Sequence, residues 1–177
     1  MTDAPRLRLI LGDQLQHDSP QLQQFDPARD RLVMIEAPGE ATHVCSHKAR
    51  IALFLAAMRH FAADLRARGY ALDYIALDDP DYAALPDLPV RLRRLLDACG
   101  ARELVIVAPG EYRLEQSLLR LARDAGIALT ILPDPHFLCT RAQFAAWAGA
   151  KRELRMESYY RWQRKTRRVL LDADLAI

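Results

Sequence analysis

Five short apolar runs, set apart by stretches with a different period, constrain this chain most. The runs are "LRLIL" (7–11), "LVMIE" (32–36), "ALDYIAL" (71–77), "ELVIVA" (103–108) and "IALTIL" (127–132). Each has strand length, and several are almost continuously apolar. That is the pattern of strands in a parallel sheet covered on both faces. The intervening stretches repeat at three and four residues. Ile51, Phe54, Leu55, Met58, Phe61, Ala62 and Leu65 form one apolar stripe of a helix over 46–68, with Ser46 as its N-cap and Gly69 as its stop. Phe54, Leu55, Met58 and Leu65 are expected to pack that helix on the sheet. Leu92, Leu95, Leu96 and Cys99 predict a second helix ended by Gly100, and Leu114, Leu118, Leu121 and Ala125 a third ended by Gly126. The alternation implies an α/β fold: an open parallel five-stranded sheet with helices on both faces.

The remaining segments fit around that frame. "QHDSPQLQQFDPARD" reads as a short helix and loop, and "DDPDYAALPDLP" (78–89) as a loop. Beyond residue 140 the pattern is helical again. Two regions are expected: an α/β domain over 1–150 and a basic helical extension over 151–177. The length of 177 residues suits a sizeable core, and 51% apolar with 27% charged residues is a globular composition. No run approaches the roughly 20 apolar residues of a membrane helix. The N-terminus lacks a signal-peptide layout, and Cys45, Cys99 and Cys139 are too few and too scattered for a disulfide framework or a closed metal site. A cytoplasmic protein is expected.

Ligands of open parallel sheets lie at the carboxyl ends of the strands, where strand order reverses. Those ends carry Gly12-Asp13-Gln14, the segment Glu36 to His47, Asp78-Asp79, Pro109 to Tyr112, and Pro133 to His136. The set is acidic and amide-rich. It contains neither a dinucleotide fingerprint nor a P-loop. A ligand offering N–H and hydroxyl donors suits it better than one offering phosphates, and a heterocycle with a polyol tail has that chemistry. Structural readings stand beside the functional ones. Asp13 caps a turn or contacts a ligand, and Glu36 is a solvated strand tip or a contact. His43, Cys45 and His47 have no fourth partner for a metal. His60 reads as structural, beside the apolar stripe. Asp78-Asp79 reads as a turn in preference to a Mg²⁺ site. No spacing names a nucleophile.

Lys151, Arg152, Arg155, Arg161, Arg164, Lys165, Arg167 and Arg168 interleave with Tyr159, Tyr160 and Trp162. Such a pattern suits nucleic acid, or a helix whose aromatic side docks on a domain or on another copy. The near-neutral net charge of +2 favours the docking reading.

Several blocks, in order, resemble one family. They are "LRLILGDQL", "EATHVCSHKARIALFLAAMRHFAADLRARGYALDYIALDDPD", "PGEYRL", "FLCTRAQFAAWA" and "RMESYYRWQRKT". They are similar to the N-terminal half of the deoxyribodipyrimidine photolyase-related proteins. That is the bacterial cryptochrome branch that includes (6-4) photolyases with an iron–sulfur cluster. The resemblance covers about residues 6 to 170. It implies a Rossmann-like domain able to hold an antenna chromophore, 6,7-dimethyl-8-ribityllumazine. FAD, the cluster and the DNA-repair site would belong to a helical half that this chain lacks, so it would be noncatalytic alone and meet DNA only in the full-length protein. Matched by motif, Gly12, Asp13 and Gln14 would line one side of the pocket and Ile35, Glu36 and Glu40 the other, with His43 and Lys48 nearby. The sequence departs from the family at His43, where a tyrosine is common, at "APG" (37–39), and at Ala108 in place of an acid. The 151–170 segment would lead to an FAD-binding helical domain or mediate self-association. Two other readings use the same fold. One is a small nucleotide-binding enzyme using Asp13 and Glu36, or Asp78-Asp79, with a metal. The other is an interaction module without a ligand.

Overall fold

A computed structural model describes residues 4–42, 46–149 and 151–171. The chain divides into two compact units, Met1–Asp134 and Pro135–Ile177. The first holds five strands: β1 (Arg6–Leu9), β2 (Asp30–Ile35), β3 (Leu72–Ile75), β4 (Glu103–Val107) and β5 (Ala128–Leu132). All neighbouring pairs are parallel, in the order β3-β2-β1-β4-β5. The chain winds outward from β1 in one direction to β3, then returns to the other side of β1 with β4. The switch point therefore lies between β1 and β4.

Period-two alternation feeds two separate cores. Leu7, Leu9, Val33, Ile35, Leu104 and Ile106 face one side, where α4 (Leu88–Cys99) and α5 (Tyr112–Ala125) bury Leu92, Leu96, Leu114 and Leu118. Ile10, Leu32 and Met34 face the other, where α1 (Pro20–Gln23) and α3 (Lys48–Ala67) bury Leu22, Met58, Phe61, Ala62 and Leu65. This double coverage is why the strands read as continuous apolar runs. Gly69, Gly100 and Gly126 follow α3, α4 and α5 with φ of 87°, 68° and 64°, the left-handed stop that glycine adopts without steric cost.

At the amino ends of the strands, two arginines of β1 converge on one buried carboxylate. Arg6 and Arg8 both donate through Nε to Asp30, whose side chain is fully buried, and Asp26 N adds a bond of 2.9 Å. Arg8 also donates to Gln24 O at 2.6 Å. Burial alone would raise the Asp30 carboxyl, but the donors outweigh it and hold it below the ordinary range.

Three local expectations are corrected. The N-cap of α3 is His47, whose Nδ1 accepts from Ala49 N at 3.2 Å, and not Ser46. His60 is exposed and takes no part in the core. Phe54 is 45% exposed and does not join Met58 and Leu65 in the core. A short helix, α2 (Pro38–Thr42), forms within the Glu36 to His47 segment after β2.

The second unit holds α6 (Arg141–Ala148) and α7 (Met156–Arg167). Thr140 and Gln143 form a reciprocal capping box at the start of α6. Neither helix has a buried residue. They meet through rings instead: Trp147 lies 5.1 Å from Tyr159 and 5.9 Å from Trp162, and Phe144 meets Tyr159 edge-on at 5.5 Å. Tyr159 and Trp162 thus have partners on α6. Tyr160 stays half exposed, with the Arg164 guanidinium over its ring.

Candidate functional site

A cavity of about 310 Å³ opens at the carboxyl ends of β1, β2 and β4, beside the switch point. Its apolar lining includes Leu11, Ile35, Phe54, Met58 and Leu114, and its polar lining Asp13, Glu36, Glu40, Arg50 and Glu111. In a parallel unit the helix after a strand begins near that strand's carboxyl end. The first turns of α3 therefore overhang the sheet. That is why Ile51 and Phe54 line the cavity although they share a stripe with core residues.

At Gly12 the space a side chain would take is held by two other side chains. A Cβ at this position would stand 2.5 Å from Phe54 Cε1 and 2.8 Å from Met58 Sδ. The absent side chain leaves room for Phe54 and Met58 beside the segment that follows β1, and a larger residue would make them shift. The isolated glycine of Gly12-Asp13-Gln14 thus gives these two side chains their room.

Glu36 is the most engaged acid of the site. It is 1% exposed. Arg59 donates to both of its oxygens, at 2.7 and 2.9 Å; Tyr74 donates its hydroxyl to Oε1; and Leu77 N donates to Oε2 at 2.7 Å. These four bonds fill the acceptor capacity of a carboxylate. Burial alone would raise the Glu36 carboxyl, but the bonds from Arg59, Tyr74 and Leu77 hold it below its usual range. Burial, then the bond to Glu36, pushes the Tyr74 phenol well up. Behind this cluster Arg91 is wholly buried, and its guanidinium donates to the carbonyls of Glu36, Ala76, Leu77 and Leu85 at 2.8–3.2 Å. Together they fix the end of β2 to the end of β3 and to the loop before α4.

Of the residues named from sequence, Gly12, Asp13, Ile35, Glu36 and Glu40 line the cavity. Gln14 does not: it is buried beside it, with Nε2 donating to Ala108 O at 3.1 Å across the switch point. Lys48 is exposed in the first turn of α3 and does not line it. His43 lies outside the described residues, as does Cys45 of the His-x-Cys-x-His trio. Asp78-Asp79 contributes nothing to the cavity; Asp79 Oδ1 accepts from Asp81 N at 3.0 Å, closing a turn. Sequence reasoning missed Arg50 and Phe54. The available signal was their place in the first turns of the helix that follows β2.

On the rim, Arg113 joins Glu111 at 2.7 Å and Glu40 at 3.6 Å. The carboxylate of Asp13 comes close to Gly110, whose added Cβ would stand 3.8 Å from Oδ2. Among the described residues no three His, Cys, Asp or Glu side chains gather as a metal site.

The fold is a doubly wound, Rossmann-like α/β domain with a cavity at its switch point, the place where open parallel sheets take ligands. The sequence profile of the deoxyribodipyrimidine photo-lyase-related proteins matches residues 8–176, and the chain belongs to that family. A (6-4) photolyase from Agrobacterium fabrum is 34% identical over 169 residues, covering 96% of this chain and 33% of that protein. The chain spans about a third of the length of that relative.

Proposed function

We propose that this domain binds a ribityl lumazine in the switch-point cavity and serves as a light-harvesting antenna. The observation that carries the reading is the pairing of an apolar, ring-walled floor with carboxylate acceptors in one cavity. Phe54 offers a flat face to a heterocycle. Asp13, Glu40 and Glu111 offer acceptors to the hydroxyls of a polyol tail. The cavity volume of about 310 Å³ lies at the small end of ligand pockets, which suits a two-ring compound better than a dinucleotide. A bound lumazine supplies near-UV to violet absorption and hands the excitation to a flavin. The protein performs no bond chemistry in this role. Gly12 seats the ring wall, and the Glu36–Arg59–Tyr74 cluster keeps the cavity's back rigid, so the chromophore is held in one orientation. By the resemblance, FAD, the iron–sulfur cluster and DNA repair would be served by a helical partner domain.

The test is titration of the purified chain with 6,7-dimethyl-8-ribityllumazine, read by fluorescence anisotropy, beside ATP with Mg²⁺. Saturable lumazine binding that is weakened by Gly12→Val, which drives a side chain into Phe54 and Met58, supports the reading. Binding of the nucleotide alone overturns it in favour of a nucleotide-binding enzyme.

A further inference from the structure

Arg50 lines the cavity yet is exposed and takes no carboxylate or carbonyl partner among the described residues. It sits in the first turn of α3, a turn that carries no acid. A cation there opposes the positive end of the helix macrodipole, so local helix stability does not call for it. The other arginines around the cavity are committed. Arg59 clamps Glu36, Arg91 is absorbed by four carbonyls, and Arg113 joins Glu40 and Glu111. Among the described lining residues Arg50 is the cation without a partner. Phe54 stands four residues on, on the same side of the helix, and lines the same cavity.

The geometry points to Arg50 as the residue that reads the acceptor edge of the bound heterocycle, with Phe54 stacking on its face. This deepens the antenna reading and rests on it. A guanidinium presents a planar fork of donors, which matches two adjacent acceptor atoms on one edge of a flat ring, as in the 4-oxo oxygen and N5 of a lumazine. The carboxylates of Asp13, Glu40 and Glu111 cannot serve such an edge, since they are acceptors themselves. The cavity therefore sorts its ligand by polarity. The acceptor-rich end of the ring goes to the α3 side, and the hydroxyl-rich tail to the side of β1 and α5. A ligand of this class has an oxo-heterocycle at one end and a donor chain at the other.

The experiment uses two probes on the whole chain: 6,7-dimethyl-8-ribityllumazine, and 6,7-dimethyllumazine, which keeps the dione ring and lacks the tail. Arg50→Gln folds as the parent does, by far-UV circular dichroism, because the side chain holds nothing in place. It weakens both probes by the same factor, about tenfold for a lost charged hydrogen bond. Arg50→Lys recovers only part, since it keeps the charge and loses the fork. Asp13→Asn weakens the ribityl compound alone. Unchanged binding of both probes by Arg50→Gln, or loss confined to the ribityl compound, overturns the assignment while leaving the antenna reading in place. Failure of the parent chain to bind either probe overturns both.

Discussion

Replacing Glu36 by Gln removes one charge from the cluster that ties β2 to β3, and its cost can be worked from the donors around it. Two amide orientations are open. In the first, Nε2 takes the place of Oε2 and confronts two donors, Arg59 Nη2 and Leu77 N. In the second it takes the place of Oε1 and confronts Arg59 Nε, while the rotatable Tyr74 hydroxyl turns to accept from it. The second orientation wins, because it leaves one clash instead of two. What is lost is one bond from Arg59 and the charge assistance of the rest. Bonds to charged groups contribute about 1.5–3 kcal/mol against 0.5–1.5 for neutral ones. Solvent recovers part of the loss, since the Arg59 side chain is 54% exposed. The expected cost is about 1–2 kcal/mol at neutral pH. The Glu36 carboxyl is depressed in the folded protein. Its contribution is therefore complete above the unfolded value, about 4.3, and is lost as pH falls through the lower folded value. The gap between parent and Glu36→Gln narrows in acid. Urea denaturation followed by far-UV circular dichroism at neutral pH and near pH 3 reads both effects. Equal stability at neutral pH, or a deficit that persists unchanged in acid, refutes this account of the cluster.

Two further perturbations probe the frame. Asp30→Asn leaves the buried Arg8 without its anion and is expected to cost about 3–5 kcal/mol, measured by the same denaturation. Trp147→Ala removes the ring that touches Phe144, Tyr159 and Trp162. At about 0.5–1.5 kcal/mol per aromatic pair, it is expected to melt the α6–α7 pair and to shift Trp162 emission to the red, with the α/β unit still folded.

The alternation of apolar runs and helical stripes determined the fold class, the five strands and the three glycine stops. Those features are local: a strand covered on both faces must be apolar throughout, and a glycine at a helix end needs no distant partner. The cavity is only partly local. Gly12, Asp13 and Glu36 were legible because the carboxyl ends of strands are where such sheets bind ligands, whereas Ile35 and Glu40 were singled out by the resemblance to a family. The roles were decided by tertiary structure. Glu36 looks like a free carboxylate until Arg59 arrives from α3 and Tyr74 and Leu77 from β3 and its loop. Gln14 follows the strand end in sequence, yet it turns to Ala108 across the switch point. Phe54 belongs to an apolar stripe, yet the stripe outruns the sheet, so its first turns wall a cavity while its last turns fill a core. Periodicity names the face of a helix; only the docked helix shows where along that face the sheet ends.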